Sequence, residues 1–279
     1  MHSAAMNLSV TITCKDDRRI LETMRSIDAP VEVVIVLNGS PAGFEEWLRG
    51  ELERPALIEV LEHPNRGRSV DHGIRSATNP WVLLVDTDCV LEPGSIKAMV
   101  DAFEAGDPGQ EVYKGKIVYE AGPTLTGRIL SRSRTQRNKR LSAYKPALAF
   151  SKEIETKIGG YFFDERLIWK SDAELDVRLR RAGLTLVGVE NCVVHHAPLS
   201  LRSDLHSSFN YGVGVAIGEH LGLDLPPAER SVRDAWRGDG FLAALYLAVS
   251  NRVLAAGKAY AAKRLEWSPE KWLARVTGS

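Results

Sequence analysis

Four short apolar segments, rich in β-branched residues, are spaced along the first third of the chain and separated by stretches of helical length. The second and fourth are almost continuous in Val, Ile and Leu, as is typical of parallel strands buried on both faces of a sheet. The predicted strands are Leu8–Thr13, Val31–Leu37, Leu57–Leu61 and Trp81–Val85, with helices predicted at Arg19–Ile27, Phe44–Leu52 and Ser69–Ala77. This alternation predicts an open α/β sheet, in which ligands bind at the carboxyl ends of the strands.

Polar residues follow three of these strands, at Lys15–Asp17, Asn38–Ser40 and Asp86–Asp88. In the last of them, two carboxylates two residues apart, Asp86 and Asp88, come directly after the apolar strand. Carboxylate oxygens are hard ligands that suit Mg²⁺ or Mn²⁺, ions that also hold phosphate oxygens. A strand-ending turn produces the same pattern, so the pair by itself leaves a metal site and a simple turn both open.

Length and composition narrow the class of protein. A chain of 279 residues corresponds to one large domain or two small ones. A hydrophobic fraction of 44% and a charged fraction of 26% exclude disordered, collagen-like, coiled-coil and polytopic membrane proteins. Because 36 basic residues balance 36 acidic ones, the net charge is zero and we expect no nucleic acid as partner.

The cysteines and the apolar segments indicate the cellular compartment of the protein. Cys14, Cys89 and Cys192 lie far apart and form no C-x-x-C pair, which suits a reducing environment. Met1–Val10 has neither the charge nor the long apolar run of an export signal. The longest apolar run, Phe241–Val249, is well short of the roughly 20 residues that span a bilayer. We therefore expect a cytoplasmic protein.

A basic segment opens the middle of the chain. No acidic residue occurs from Ala121 to Lys152, and this range contains Arg128, Arg132, Arg134, Arg137, Lys139, Arg140, Lys145 and Lys152. Such a segment is either a solvated surface or a basic lid over an anionic ligand such as a phosphate.

Further along, Asp172–Ala182 is predicted to be a helix, with Ser171 as its N-cap. Acidic residues open this helix and arginines close it, in agreement with the helix dipole. A β-like run, Leu184–Val189, follows, and then a short apolar run that ends in a histidine pair. The remainder of the chain, Leu201–Ser279, is predicted to be helical.

An ordered series of motifs resembles a known family. The motifs are Asn65-Arg-Gly-Arg-Ser-Val-Asp-His-Gly73, Asp86-x-Asp88 after its strand, Gly159-Gly160, Asp164-Glu165, Asp172-x-Glu174-Leu175 and His195-His196. In this order they resemble the family 2 glycosyltransferases over about Leu8–His220, most of the chain. These are inverting enzymes that transfer a sugar from a nucleotide-sugar donor to an acceptor hydroxyl.

The resemblance implies an α/β protein with the GT-A fold, a mostly parallel central sheet flanked by helices. It implies a glycosyltransferase domain over residues 1–222, with a nucleotide-binding half over 1–110 and an acceptor-binding half over 111–222. Residues 223–279 would form a helical C-terminal extension.

The resemblance also implies roles for individual residues. Asp86 would hydrogen-bond the ribose, and Asp88 would bind a divalent metal, Mn²⁺ or Mg²⁺, that bridges the diphosphate. Asp172 would be the general base, and His195 or His196 would reach the metal. Donor contacts are expected from Thr13, Lys15, Asp17, Asn38, Arg68, Thr87, Gly159 and Gly160, and acceptor contacts from Asp164, Glu165 and Trp169.

Two departures from the family pattern matter. The family often has Asp-Asp-Gly-Ser or Asp-Asn-Gly-Ser after the second strand, and its first Asp contacts uracil. Leu37 stands at that position here, so the nucleotide base stays open. Ser171 and Glu174 replace the acidic residues on either side of the proposed base, and neither change removes it.

Two alternatives to this enzyme are a catalytically inactive GT-A-like scaffold protein and a sugar-nucleotidyltransferase. The second of these requires a glycine-rich phosphate loop after the first strand, and the segment Thr13–Arg19 contains no glycine. The helical segment Phe241–Ala262 packs on its own domain, makes a peripheral membrane contact or contacts a partner subunit. The acceptor, the donor sugar and the oligomeric state are left open by the sequence.

Overall fold

The computed structural model describes residues 6–137, 140–226 and 231–277. Within these ranges, eight strands form a single sheet. They are β1 (Leu8–Cys14), β2 (Glu32–Asn38), β3 (Leu57–Leu61), β4 (Trp81–Asp86), β5 (Cys89–Leu91), β6 (Val112–Tyr119), β7 (Leu148–Ser151) and β8 (Leu186–His196). The four strands predicted in the first third of the chain are present, each within one residue of its expected bounds.

Helices connect the strands and make up most of the C-terminal region. They are α1 (Ile20–Arg25), α2 (Phe44–Glu51), α3 (Arg66–Ser76), α4 (Ser95–Ala105), α5 (Leu125–Arg137), α6 (Ile154–Lys157), α7 (Ser171–Arg181), α8 (Leu201–His220), α9 (Val232–Asp239), α10 (Phe241–Trp267) and α11 (Pro269–Thr277). One local prediction was wrong: Ser171 is not the N-cap of α7, because the helix starts there after Lys170, whose φ is 70°.

The sheet is parallel on one side and mixed on the other. Its strand order is β3-β2-β1-β4-β7-β6-β8-β5. The first four strands are parallel, so the ends of β1, β2 and β4 meet at one edge as predicted. In the second half, β7 runs antiparallel to β4 and β6, β5 runs antiparallel to β8, and β6 and β8 are parallel. The predicted α/β architecture, with helices flanking the sheet and following it, is confirmed.

Two hydrophobic cores explain why the central strands are continuously apolar. Alternate side chains of a strand point to opposite faces of its sheet. Accordingly, Leu83 of β4 packs in one core with Ile12 and Ile35, while its neighbours Val82 and Leu84 pack in the other. All five side chains are buried. Helices cover both faces, which explains why β2 and β4 are almost continuously apolar.

The C-terminal helices pack on the domain rather than forming a separate unit. Ala261 and Leu265 of α10 share a buried core with Val213 of α8 and with Leu167 of the loop before α7. The backbone carbonyl of Thr277 accepts a hydrogen bond from Nδ2 of Asn65, which is fully buried at the start of α3. Among the described residues, no helix has both the length and the hydropathy that crossing a bilayer requires.

Close contact between α8 and α10 depends on two glycines. A Cβ atom added at Gly212 would lie 1.9 Å from the carbonyl oxygen of Leu254, and one added at Gly257 would lie 2.1 Å from that of Phe209. Both obstacles are backbone atoms of the opposite helix. Any side chain at either position therefore pushes the two helices apart.

Gly257→Ala is expected to lower the free energy of unfolding by about 1–3 kcal/mol, because overpacking separates α8 from α10. Thermal and urea denaturation measure this loss. Gly238→Ala in α9 is the control, because a Cβ there meets nothing within 4 Å and alanine favours a helix. Equal stability of the two variants would show that the helix contact does not depend on Gly257.

Candidate functional site

A cavity of about 430 Å³ opens at the carboxyl ends of β1, β2 and β4. Parallel pairing places these ends side by side, and Thr13 of β1 is directly paired with Asp86 of β4. Ten of the predicted site residues line this first cavity: Thr13, Lys15, Asp17, Asn38, Asp86, Thr87, Asp88, Trp169, Asp172 and His196. The structure therefore brings together residues that the sequence spreads over more than half of the chain.

Asp86 is held by two cations. Its Oδ1 atom lies 3.0 Å from Nζ of Lys145 and 3.7 Å from Nη2 of Arg66. Burial acts to raise the pKa of Asp86, but Lys145 and Arg66 outweigh this effect and hold the pKa below its ordinary value. Asp86 is therefore an anion at neutral pH, able to accept hydrogen bonds from a ligand.

Asp88 and His196 face each other because β5 pairs with β8. Cys89 is paired with His196 in this ladder, and the amide of Ala197 donates a 2.9 Å hydrogen bond to the carbonyl of Asp88. As a result, Nε2 of His196 lies 3.6 Å from Oδ2 of Asp88. Nδ1 of His196 donates to the carbonyl of Ala197 at 2.8 Å, so in the neutral ring Nε2 carries the free lone pair.

This pair of side chains fits a divalent cation. The carboxylate of Asp88, the imidazole of His196 and the thiol of Cys89 lie within 4.8 Å of one another. A carboxylate suits Mg²⁺ and Mn²⁺, whereas an imidazole shifts the preference toward a transition metal such as Mn²⁺. The hydrogen bond from Nδ1 to a carbonyl is the kind of outer contact that orients metal-bound histidines. Nη2 of Arg19 lies 3.5 Å from Oδ2 of Asp88 and adds positive charge beside it.

His195 lies outside this cavity. Neighbouring residues of a strand point to opposite faces, so His195 and His196 cannot both reach the same site. Nδ1 of His195 lies 2.6 Å from Glu120, and Nε2 lies 2.5 Å from Glu92. These two carboxylates raise the pKa of His195 and occupy both of its nitrogens. The expectation that His195 is an alternative metal ligand does not agree with this placement.

Asp172 lies between two cavities. It belongs to the first turn of α7 and lines both the first cavity and a second cavity of about 400 Å³. The second cavity is bounded by α5, α7, α8 and α10, and its basic side chains are Arg134, Arg140, Lys145, Lys170 and Arg180. A carboxylate in this position is accessible from both sides.

Three predicted residues lie in a third cavity on the other side of α3. Arg68 and Glu165 line it and pair with each other at 3.0 Å. Asp164 also lines it, but it is buried and paired with Arg166. The structure therefore separates the expected donor contact of Arg68, and the expected acceptor contacts of Asp164 and Glu165, from Asp172 and Asp88.

Gly159 and Gly160 line none of these cavities. We expected them to let the donor sugar approach the backbone. Their φ angles are 101° and 85°, in the left-handed region that favours glycine, and a Cβ on Gly160 would meet nothing within 4 Å. The turn between α6 and α7 accounts for both glycines.

Several cavity residues were not among the predicted site residues. Arg66 is part of the upstream Asn-Arg-Gly segment, and Lys145 belongs to the basic segment, so both had a signal in the sequence. Tyr211 lines both cavities on α8, close to Arg134. Three residues further along α8, a Cβ at Gly214 would lie 2.6 Å from the carbonyl of Trp169. Gly214 thus lets α8 pass close to the loop before α7.

Part of the basic segment lines the two cavities, and part of it lies on the protein surface. Arg134 is paired with the buried Asp204, and Lys145 is paired with Asp86. Arg128 and Arg132 lie on the exposed side of α5. Lys139 lies outside the described residues.

Lys114 contacts the loop that carries Lys145. It lies on β6, is 6% exposed, and its Nζ atom donates a hydrogen bond to the carbonyl of Pro146, next to Lys145. Burial lowers the pKa of Lys114 to about 7. The charge of Lys114 therefore changes near neutral pH, close to Lys145, the cation that is paired with Asp86.

Comparison with known proteins identifies the family to which these motifs belong. The model of glycosyl transferase family 2 matches residues 9–162, more than half of the chain. No sequence among the curated proteins matches this chain.

Several solved structures share the fold. A mycobacterial protein is 18% identical, with a TM-score of 0.56 over 80% of this chain and 76% of that one. TarS 1–349 from S. aureus, in complex with UDP, is 16% identical, with a TM-score of 0.53 over 95% of this chain and 73% of that one. Glucosyl-3-phosphoglycerate synthase from Mycobacterium tuberculosis, in complex with Mn²⁺, UDP and phosphoglyceric acid, is 16% identical, with a TM-score of 0.53 over 80% of each chain. At these identities the likeness establishes the fold alone.

The pKa of Lys114 predicts how stability depends on pH. A lysine with a lowered pKa binds fewer protons in the folded state than in the unfolded state, so its contribution to stability rises with pH between the two pKa values. From about pH 7 to about pH 9, the wild type should gain about 2 kcal/mol of unfolding free energy relative to Lys114→Met. Urea denaturation at each pH measures this, with Lys116→Met, exposed on the same strand, as control. A Lys114→Met difference that does not change with pH would contradict the prediction.

Proposed function

Because this chain belongs to glycosyl transferase family 2, we propose that it moves a sugar from a nucleotide-diphosphate sugar to an acceptor hydroxyl with inversion at the anomeric carbon. The observation that carries the proposal is one cavity lined by both the Asp88–His196 pair and Asp172. It offers a place for the diphosphate at one end and a base at the other. The glycosyltransferase structures with UDP and Mn²⁺ named above support the donor class.

The donor is proposed to lie along the strand ends. Asp86, kept anionic by Lys145 and Arg66, would accept hydrogen bonds from the ribose hydroxyls. Asp88 and His196 would hold the divalent metal, which neutralises charge on the leaving nucleoside diphosphate. Leu37 is buried and offers no polar group to a base, so this position does not select uracil.

Asp172 is proposed to be the general base. Its carboxylate would take the proton of the acceptor hydroxyl while that oxygen attacks the anomeric carbon from the face opposite the diphosphate. The new glycosidic bond forms as the bond to the diphosphate breaks, and the proton stays on Asp172 until solvent removes it. A position between two cavities suits this role, since donor and acceptor approach from different sides.

The acceptor is proposed to occupy the second cavity. Five cations line it, and three of them are paired with carboxylates: Arg134 with Asp204, Lys145 with Asp86 and Arg180 with Asp176. Arg140 and Lys170 are the other two cations, and Asp172 is the remaining carboxylate, so cations outnumber carboxylates by one. A surplus of cations favours an acceptor that carries a phosphate or carboxylate. One structure of similar fold is described with phosphoglyceric acid, an anionic molecule, which supports this class of acceptor.

Asp172→Asn should lower turnover by about 10²–10⁴-fold and leave nucleotide binding intact, because the amide cannot take the proton. Release of nucleoside diphosphate from a panel of nucleotide sugars, with extracts or defined anionic hydroxyl compounds as acceptors, measures turnover. Asp101→Asn, on the exposed side of α4, is the matched control. Near wild-type turnover in Asp172→Asn would refute the assignment of the base.

The two adjacent histidines give a sharp test of the metal site. Calorimetric titration with UDP, GDP, dTDP and CDP, each with Mn²⁺ and with a chelator, first identifies the base that binds. His196→Ala should then weaken Mn²⁺-dependent binding by about 10–100-fold, and Asp88→Ala at least as much. His195→Ala should bind like the wild type. Loss of binding in His195→Ala but not in His196→Ala would reverse the assignment, and metal-independent binding in the wild type would remove the metal from the proposal.

A further inference from the structure

Helix α10 is apolar on two opposite sides, but only one of them is covered. Ala243, Leu247 and Leu254 lie on one side of the helix and are buried. The opposite side exposes Phe241, Leu242, Leu245, Val249, Tyr260 and Trp267, with 64% of Phe241 and 78% of Trp267 accessible. No acidic residue occurs from Gly240 to Leu265. The first part of α10, Phe241–Val249, is hydrophobic on both sides. Because such a stretch is normally buried all round, its open side points to a further contact.

Neighbouring helices extend this open side into a patch. Leu125 of α5 is 58% exposed and lines a groove with Phe241 and Leu242. Trp236 of α9, a helix without any buried residue, is 64% exposed. The apolar patch is defined here as Leu125, Trp236, Phe241, Leu242, Leu245 and Val249. It combines large side chains from three helices, unlike the scattered single apolar residues that are normal on a surface.

Arginines border the apolar patch. Arg128 and Arg132 share the groove with Phe241, Arg233 and Arg237 belong to α9, and Arg252 follows the patch on α10. All five arginines are exposed, and none forms an ion pair with another described residue. Among the described residues of α5, α9 and the first part of α10, the acidic ones are Asp234 and Asp239, so these helices keep a positive surplus.

We propose that the apolar patch and its arginines are a docking surface for an anionic lipid bilayer. Large apolar side chains would enter the boundary between headgroups and acyl chains, and the arginines would bind lipid phosphates, as in interfacial amphipathic helices. A second copy of the chain fits less well. In a symmetric dimer the same patch meets itself, and the arginine borders would then face each other. Binding to an anionic bilayer would bury the exposed apolar side chains and pair the arginines with lipid phosphates.

Vesicle flotation with the full chain tests the proposal. The wild type should float with phosphatidylcholine vesicles that contain about 30% phosphatidylglycerol, and binding to phosphatidylcholine alone should be at least about fivefold weaker. Leu242→Gln with Leu245→Gln should lower the partition coefficient about tenfold or more. Leu57→Gln with Leu201→Gln, two leucines of similar exposure elsewhere, is the control and should leave it unchanged.

The charge component is tested separately. Arg128→Gln with Arg132→Gln should weaken binding to the anionic vesicles about tenfold or more, whereas Arg128→Lys with Arg132→Lys should preserve it. Nucleotide binding by each variant verifies that it is folded. Failure of the wild type to float, or equal flotation of the Leu242/Leu245 variant, would overturn the proposal. So would a wild-type dimer in sedimentation velocity that the Leu242→Gln and Leu245→Gln substitutions convert to a monomer, since the patch would then join two copies.

Discussion

The pairing of β8 with both β5 and β6 is the constraint on which the candidate site depends. Through β5, this strand places His196 beside Asp88, and through β6 it ties the second half of the sheet to that pair. The ladder to β6 shifts register after Gly115, where a Cβ atom would lie 2.7 Å from the carbonyl of Cys192. A one-residue slip of a strand exchanges its two faces, so another register would present His195 in place of His196.

Pairing with cations stabilises the acidic end of the cavity. Asp86 lies against Lys145, whose side chain is only 6% exposed, and removing one partner of such a buried pair typically costs about 3–5 kcal/mol. Arg19 stands at hydrogen-bonding distance from Asp17 and near Asp88. The same cations are available to the oxygens of an anionic ligand when it arrives. The stability of this edge of the sheet and the proposed affinity for a diphosphate thus depend on the same side chains.

The sequence was sufficient to predict the features that follow from apolar periodicity and from the positions at which strands end. Continuous apolar strands predicted the parallel half of the sheet, and the residues after them do line one cavity. It was insufficient where a contact depends on register or on two distant loops. Arg68 and Glu165 are 97 positions apart and pair with each other, which no local pattern reveals. The left-handed φ of Gly159 follows from its turn, whereas its sequence suggested proximity to a ligand. Equally, neither histidine of the pair has a local signature that indicates which face it occupies.

The C-terminal helices are coupled to the site through one buried side chain. Oδ1 of Asn65 accepts a hydrogen bond from the amide of Arg68 and so caps α3, while Nδ2 donates to the carbonyls of Glu165 and Thr277. The next residue, Arg66, reaches Asp86. A change in how α10 and α11 sit therefore acts on the start of α3, because an unsatisfied buried amide costs about 1–3 kcal/mol. Since α10 also contributes Ser250 and Asn251 to the second cavity, the C-terminal helices are a structural part of this region, with one side of α10 lining the cavity and the other facing solvent.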